Sequence, residues 1–189
     1  DICGDGVDND CDGIVDACDL DYRLWGELAS DAAGSSLAGA GDINGDGFAD
    51  LLLGADREDL GGAAAGAAYI IAGPMTADMS LSDATAKLVG EETGDHAGIS
   101  VAGGGDVNGD GFDDVLVGAY DNDDGGASAG AAYLVVGPVS GEFDLSNATA
   151  RLLGEQPGDF AGYAVAAGGD ADGDGYADLI VGAYDNDDA

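Results

Sequence analysis

Basic side chains are nearly absent from this sequence. The chain of 189 residues has 4 Lys and Arg against 39 Asp and Glu, so its formal net charge is −35. A chain this acidic has no basic face for nucleic acid or an anionic membrane, and neither is expected as a partner. An apolar run of about 18 residues is also lacking, so we expect no membrane span. No signal peptide opens the chain, which we interpret as a mature or excised piece.

Cysteine is scarce and confined to one end. Cys3, Cys11 and Cys18 are the only three in the chain. Disulfides form in oxidising compartments, and an odd number leaves one thiol free or paired elsewhere. The sequence allows a Cys3–Cys18, a Cys3–Cys11 or a Cys11–Cys18 bridge and does not choose among them.

An acidic loop rich in glycine occurs four times. Residues 106–114 read Asp-Val-Asn-Gly-Asp-Gly-Phe-Asp-Asp. Side-chain oxygens at loop positions 1, 3, 5 and 9 and the main-chain carbonyl at position 7 suit Ca²⁺, which takes about six to eight oxygen ligands. Gly111 follows the third ligand, where the sharp turn disfavours a Cβ. The expected ligands are Asp106, Asn108, Asp110, Phe112 and Asp114; Asp42, Asn44, Asp46, Phe48 and Asp50; Asp170, Asp172, Asp174, Tyr176 and Asp178; and Asp8, Asp10, Asp12, Ile14 and Asp16.

The alternative for these loops is an acidic turn without metal. Carboxylates at positions 1, 5 and 9 would then repel one another at short range, which a purely structural turn does not require. We therefore predict about four Ca²⁺ sites with modest affinity, roughly 10⁻⁴ to 10⁻³ M as in extracellular modules. Together with the clustered cysteines, this favours a secreted or cell-surface protein.

The loops that begin at residues 42, 106 and 170 mark a period of 64 residues. Hydrophobic residues make up 46% of the chain and fall in short runs bounded by Gly, Pro and Asp, as strands do. Each repeat offers strand A into the loop, strand B out of it, strand C ending at Gly-Pro, and strand D as a Lys/Arg-Leu-x-Gly-Glu run. Short connections predict an antiparallel meander. The continuously apolar strand B is expected to be buried on both faces.

Four-stranded sheets repeated at a fixed period are typical of β-propellers. The pattern of Ala-Gly, then Gly-Asp-x-Asn-Gly-Asp-Gly-x-x-Asp, then Val-Gly-Ala resembles the FG-GAP repeat of integrin α-subunit propellers. The resemblance covers about residues 20–189. It implies an extracellular adhesion or ligand-binding propeller with Ca²⁺ in the A–B loops and its ligand on the opposite face. The chain departs from the pattern, since the first half reads Ala-Gly and the second reads Gly-Ala before Asp56, Tyr120 or Tyr184.

The first residues carry a second resemblance. Residues 5–16 have the pattern DGxDNDCDGxxD of a short metal-binding motif family and resemble, more loosely, a thrombospondin type 3 calcium repeat. This resemblance implies calcium or another divalent ion for residues 8–16. A disordered acidic leader is the alternative.

These patterns divide the chain into a calcium-loop module at 1–19 and FG-GAP repeats at 20–83, 84–147 and 148–189. The fold is expected to be all-β, an incomplete propeller, because the third repeat stops after strand B and closed propellers have about four to eight blades. We expect a fragment of a longer protein. The alternative is a structural protein whose open blade edges assemble into a calcium-dependent ring or filament.

In a meander, the B–C and D–A loops share the end of the sheet opposite the calcium loops. We define the acidic face as the residues these loops bring there: 121–124, 185–188, Glu91, Glu92, Asp95, Glu155 and Asp159. A protein or surface ligand with basic groups, or further cations, would suit this face. A solvated, repulsive rim is the alternative.

Catalysis has little support in the sequence. His96 is the only histidine, and its repeat equivalents are Ala32 and Phe160. A Ser–His or Cys–His pair would depend on it, and no glycine run is joined to a phosphate-binding lysine. We therefore expect a binding protein and not an enzyme.

Overall fold

The computed structural model describes residues 22–187. The module at 1–19, its ligands from Asp8 to Asp16 and the cysteine pairing lie outside the described residues and stay predictions. The strands are β1 Leu24–Trp25, β2 Ser36–Gly41, β3 Asp50–Ala55, β4 Ala67–Ile71, β5 Met79–Ser80, β6 Ala86–Val89, β7 Ser100–Gly105, β8 Asp114–Ala119, β9 Ala131–Val135, β10 Gly141–Asp144, β11 Ala150–Leu153, β12 Ala161–Gly169 and β13 Asp178–Ala183.

Two four-stranded antiparallel meanders form most of the described chain. The first pairs β2, β3, β4 and β6 in that order, and the second pairs β7, β8, β9 and β11. The hairpin of β12 and β13 is equivalent to the first two strands of each meander. These are strands A, B, C and D of the repeat, with strand D the one that follows strand C along the chain. The all-β class and its antiparallel propeller blades are therefore confirmed.

The strand bounds follow the apolar runs of the sequence. Strands β4 and β9 coincide with the Ala-Ala-Tyr runs that end before Gly-Pro, and β3, β8 and β13 each begin at the last aspartate of a loop. All six residues of β8 are buried, which confirms the expected burial of strand B on both faces where neighbouring blades flank it. Within residues 22–187, helical structure consists of 3₁₀ turns at Leu81–Asp83 and Leu145–Asn147, and no helix there is long and apolar enough to cross a membrane.

A parallel outer strand adds to the first meander, and a second parallel pair forms a separate two-stranded sheet. Strand β10 pairs in parallel with β6, and β5 pairs in parallel with β1. In each pair, the strand that follows strand C of one repeat pairs with the strand D that lies earlier in the chain: β5 after β4 pairs with β1, and β10 after β9 pairs with β6. No sequence pattern indicates this pairing, because β10 has exposed residues and no apolar alternation. Strand β10 follows strand C of the second blade and pairs with β6, the edge strand of the first blade. This edge is within reach of β10 only when the two blades are adjacent.

Neighbouring blades pack with their backbones in close approach. Strand β2 lies against β7, and β7 lies against β12. A Cβ on Gly103 would lie 2.1 Å from the Gly39 carbonyl oxygen, so these inner strands admit only glycine at that point. The core between the first two blades is built from both: Leu52, Ile70 and Leu88 of the first and Val115, Val117 and Tyr133 of the second.

Candidate metal centres

The three described loops connect strands A and B at one end of the blades. Each is entered through a glycine with positive φ: Gly41 at 72°, Gly105 at 68° and Gly169 at 64°. Each of these residues ends strand A where a register shift interrupts its pairing with strand B. A bulge with a glycine in the left-handed region turns the chain out of the sheet and into the loop.

The aspartate at loop position 1 organises the main chain around it. Asp106 Oδ1 accepts hydrogen bonds from the N–H groups of Gly109 (2.6 Å) and Asp110 (3.1 Å), and Oδ2 accepts from Gly111 (2.9 Å). Asp42 accepts the same three bonds from the N–H groups of residues 45, 46 and 47. The loop therefore wraps its backbone donors around one carboxylate and leaves its remaining lone pairs for a cation.

Positions 3 and 5 bring more oxygens to the same place. The Asp110 N–H donates to Asn108 Oδ1 at 2.8 Å, and the Phe112 N–H donates to Asp110 Oδ1 at 3.0 Å. In the third loop, Asp170, Asp172 and Asp174 each place a carboxylate oxygen within 4.8 Å of the others. Three carboxylates at this spacing repel one another unless a cation lies between them.

The aspartate at position 9 is buried in the first two loops and partly buried in the third. Asp114 is 0% exposed; its Oδ2 accepts from the Val107 N–H at 2.9 Å and its Oδ1 from the Gly137 N–H at 2.9 Å. Asp50 is equally buried and accepts from the N–H groups of Ile43 and Gly73. Burial raises the pKa of both carboxyls, the backbone donors lower it, and the loop acids at positions 1 and 5 raise it.

Position 7 has a role that the sequence did not reveal. Phe112 and Tyr176 were predicted as carbonyl ligands, and that role stays a prediction. Their rings lie on the glycine at position 4 of the preceding loop: a Cβ on Gly45 would lie 2.5 Å from Phe112, and one on Gly109 would lie 2.5 Å from Tyr176. Adjacent loops are thus stacked in contact across the blades.

The donor set fits a hard divalent cation. Each loop offers oxygens alone, with no imidazole or thiolate, and carboxylate and carbonyl oxygens suit Ca²⁺ and Mg²⁺. A buried carboxylate beside other acids gains most from a bound positive charge. The spacing of positions 1, 3, 5 and 9 therefore gives loops whose local geometry suits the predicted ion.

The opposite end of the blades holds ion pairs and buried acids. Lys87 Nζ contacts Glu58 at 2.8 Å and Glu27 at 3.3 Å, and Arg151 contacts Glu91 and Asp124. Burial would lower the pKa of Lys87, but its hydrogen bonds with Glu58 and Tyr69 raise it overall. These two basic residues of strand D thus pair with acids of the preceding loops.

Part of the predicted acidic face lies inside the protein. Asp95 and Asp159 are each 3% exposed, and Asn122 donates to Asp95 Oδ2 at 2.9 Å and to the Tyr133 hydroxyl at 3.2 Å. Burial raises the pKa of Asp95. His96 stacks on Tyr120, and its Nδ1 lies 3.0 Å from the Asp56 carbonyl oxygen. Among the described residues, the exposed acids of the acidic face are Glu92, Asp123, Asp124, Glu155, Asp185 and Asp187.

The repeated strand-loop-strand unit has a known counterpart. The FG-GAP repeat matches residues 33–71, 97–135 and 161–189, more than half of the chain. The chain belongs to the FG-GAP repeat family. The three matches cover strands A to C of the first two blades and the hairpin of the third.

The similar proteins are much longer than this chain. Over 184 residues the chain is 35% identical to integrin alpha-IIb of Mus musculus, covering 91% of this chain and 17% of that protein. It is 34% identical to integrin alpha-5 of Xenopus laevis over 173 residues (86% and 16%) and 37% identical to integrin alpha-7 of Rattus norvegicus over 166 residues (84% and 13%). The chain thus spans less than a fifth of the length of each of these relatives.

Proposed function

We propose that this chain is a calcium-binding segment of an extracellular β-propeller that serves adhesion or ligand binding and not catalysis. The observation that supports it is the loop geometry, in which main-chain donors gather on the first aspartate and a carboxylate is buried at position 9, as at Asp50 and Asp114. The resemblance to the FG-GAP repeat of integrin α-subunit propellers implies Ca²⁺ in the A–B loops, which agrees with this donor set. The proposed Ca²⁺ loops are 42–50, 106–114, 170–178 and 8–16.

In this function the metal is structural. Asp114 joins the start of its loop, through Val107, to the end of strand C, through Gly137. Bound Ca²⁺ supplies positive charge and directional coordination to the loop oxygens. With its acids neutralised, the loop holds the A–B hairpin and the end of strand C in one arrangement, and stacked rings such as Phe112 extend this order to the neighbouring blade.

The proposed partner site is the acidic face. Its exposed carboxylates, such as Glu92, Asp123 and Glu155, lie at the end of the blades opposite the calcium loops. With a net charge of −35, long-range attraction favours a protein or surface ligand that presents basic groups. An extracellular or cell-surface location suits both this partner and millimolar calcium.

Calcium titration of the whole chain tests this proposal. We expect calorimetry to show about four sites of modest affinity, about 10⁻⁴ to 10⁻³ M. Asp110→Ala should remove one site, because it deletes a loop carboxylate, whereas Glu142→Ala, at an exposed acid outside the loops, should remove none. Absence of calcium binding would overturn the proposal. A stoichiometry well above four would indicate further cations on the acidic face.

A second candidate function is assembly of chains through their open blades. Leu37 and Leu51 of the first blade are 68% and 40% exposed, whereas the equivalent Val101 and Val115 of the second blade are 8% and 0% exposed. At the other end, Ile180 is 57% exposed and its equivalent Leu116 is buried. The first and third blades thus each expose one of the two faces that pack together between neighbouring blades of this chain. The third blade of one copy could therefore pack on the first blade of the next copy.

Size-exclusion chromatography with light scattering distinguishes this candidate. If chains assemble, species larger than the monomer should form in calcium, grow with concentration and disappear with Leu37→Glu, which places a charge on the exposed blade face. Glu92→Gln, in the exposed loop between β6 and β7, is the matched control. A monomer at every concentration, with and without calcium, would argue against assembly.

A further inference from the structure

One residue of the second loop reaches across to the first. Asp113 stands at position 8 of the loop 106–114, between the predicted ligands Phe112 and Asp114. Its Oδ2 accepts a hydrogen bond from the main-chain N–H of Asp42 at 2.7 Å, and its own N–H donates to the Asp42 carbonyl at 3.3 Å. Asp113 therefore holds the backbone of Asp42, the position 1 ligand of the neighbouring loop, on both its donor and its acceptor side.

Gly41 leaves the space that this contact requires. A Cβ on Gly41 would lie 2.0 Å from Asp113 Oδ2 and 2.5 Å from its Cγ, so no larger residue fits while Asp113 is in place. The positive φ of Gly41, 72°, favours glycine there as well. The site is thus shaped for the carboxylate that enters it from the next blade.

The next pair of loops keeps the main-chain contact and lacks the carboxylate. Ala177 is the repeat equivalent of Asp113, and its N–H donates to the Asp106 carbonyl at 3.3 Å. Its methyl group has no oxygen to accept from the Asp106 N–H. Both loop pairs share the ring at position 7 stacked on the preceding glycine at position 4. The side chain at position 8 therefore distinguishes the contact of loops one and two from that of loops two and three.

We propose that Asp113 is a positioning residue that couples calcium binding in the loop 106–114 to calcium binding in the loop 42–50. This inference rests on the proposed calcium function. When the second loop holds its cation, Phe112 and Asp114 are fixed on either side of Asp113. Asp113 then holds Asp42 in the place where its carboxylate gathers the loop N–H groups. Because coupling of binding is reciprocal, a filled first loop strengthens the second by the same factor.

A site-resolved titration tests the coupling. The position 6 glycines Gly47, Gly111 and Gly175 donate their N–H groups to the position 1 aspartates at 2.9, 2.9 and 3.0 Å, so each amide signal in ¹H–¹⁵N NMR reports its own loop. Emptying the second loop with Asp110→Ala should weaken calcium binding at Gly47 by roughly five- to tenfold, within the usual range of coupling between sites. The third loop, reported by Gly175, should change less.

Variants at position 8 complete the test. Asp113→Ala alone should weaken the calcium affinity of the first loop, reported by the Gly47 signal. Adding Asp110→Ala to this variant should weaken that affinity no further. Asp113→Asn keeps an acceptor oxygen for the Asp42 N–H, so this variant should retain part of the coupling. Partial coupling here would show that the effect of Asp113→Ala is not caused by a loss of folding. Ala177→Asp should create coupling between the second and third loops, since Gly105 offers the space that Gly41 does.

The outcomes separate this inference from the function on which it rests. If the loop glycines do not respond to calcium, the proposed calcium function fails and the coupling fails with it. If all three respond but Asp113→Ala leaves the Gly47 midpoint unchanged, or shifts Gly175 equally, only the coupling is overturned.

Discussion

We expect excess EDTA to lower the melting temperature of this chain by roughly 10 to 30 °C relative to about 10 mM calcium, measured by circular dichroism or calorimetry. A free ligand at about 10 to 100 times its Kd stabilises the folded state by about 1.4 to 2.7 kcal/mol per site. For three loops this amounts to about 4 to 8 kcal/mol, and each kcal/mol shifts the melting of a domain this size by about 2 to 4 °C. The physical reason is repulsion among loop carboxylates such as Asp170, Asp172 and Asp174, whose oxygens lie within 4.8 Å.

A triple variant provides the matched control for chelation. Asn at position 5 in Asp46→Asn, Asp110→Asn and Asp174→Asn still accepts the hydrogen bond from the N–H two residues on, but each loop loses one negative charge. We expect this variant to melt in EDTA at or above the temperature of the unchanged chain, and to respond little to calcium. If the unchanged chain has the same melting temperature in EDTA and in calcium, the proposal that calcium has a structural role is wrong.

We expect Gly118→Ala to destabilise the chain by about 2 to 4 kcal/mol, because the added Cβ meets the backbone of the next blade. That Cβ would lie 2.0 Å from the Gly162 carbonyl oxygen and 2.3 Å from Ser100 Oγ, which itself donates to the same carbonyl at 2.7 Å. The third blade would have to move away from the second to admit it. Midpoints of urea unfolding at fixed calcium measure the loss.

The repeat supplies a control at the equivalent position. Gly182 occupies the same place in β13, where a Cβ would meet only Ala164, its oxygen at 3.4 Å and its Cβ at 3.7 Å. Neither glycine has a positive φ, so alanine suits both backbones. Gly182→Ala should be neutral or stabilise the chain by about 0.4 to 1 kcal/mol, as Gly→Ala does where the backbone allows it. Equal destabilisation by both variants would show that blade contact is not the reason for Gly118.

Local patterns allowed much of the structure to be predicted. The runs before Gly-Pro became β4 and β9, and the apolar run after Asp114 became β8, because alternation and turn residues act over a few neighbours. The predicted ligands are also local: positions 1 to 9 lie on one short stretch of chain, so spacing alone brings the N–H groups of residues 109–111 to Asp106. The metal itself and the partner stay proposals.

Contacts between blades could not be read from the same patterns. The parallel pairing of β10 with β6 and the bond from the Asp42 N–H to Asp113 join residues far apart in the chain. Each depends on how one blade is placed against the next, and no residue near either partner indicates it. The burial of Asp95 on the predicted acidic face has the same origin.

The loop at 106–114 shows where the two kinds of information meet. By itself the sequence determined that its acids lie in one nine-residue turn between two strands, because the predicted ligands and the turn glycines are all local. Only the tertiary structure decided that Asp114 is withdrawn from water, that Phe112 covers Gly45 and that Asp113 holds Asp42. Packing of one blade on another brings these residues together, and packing between distant segments leaves no periodic trace in a single sequence.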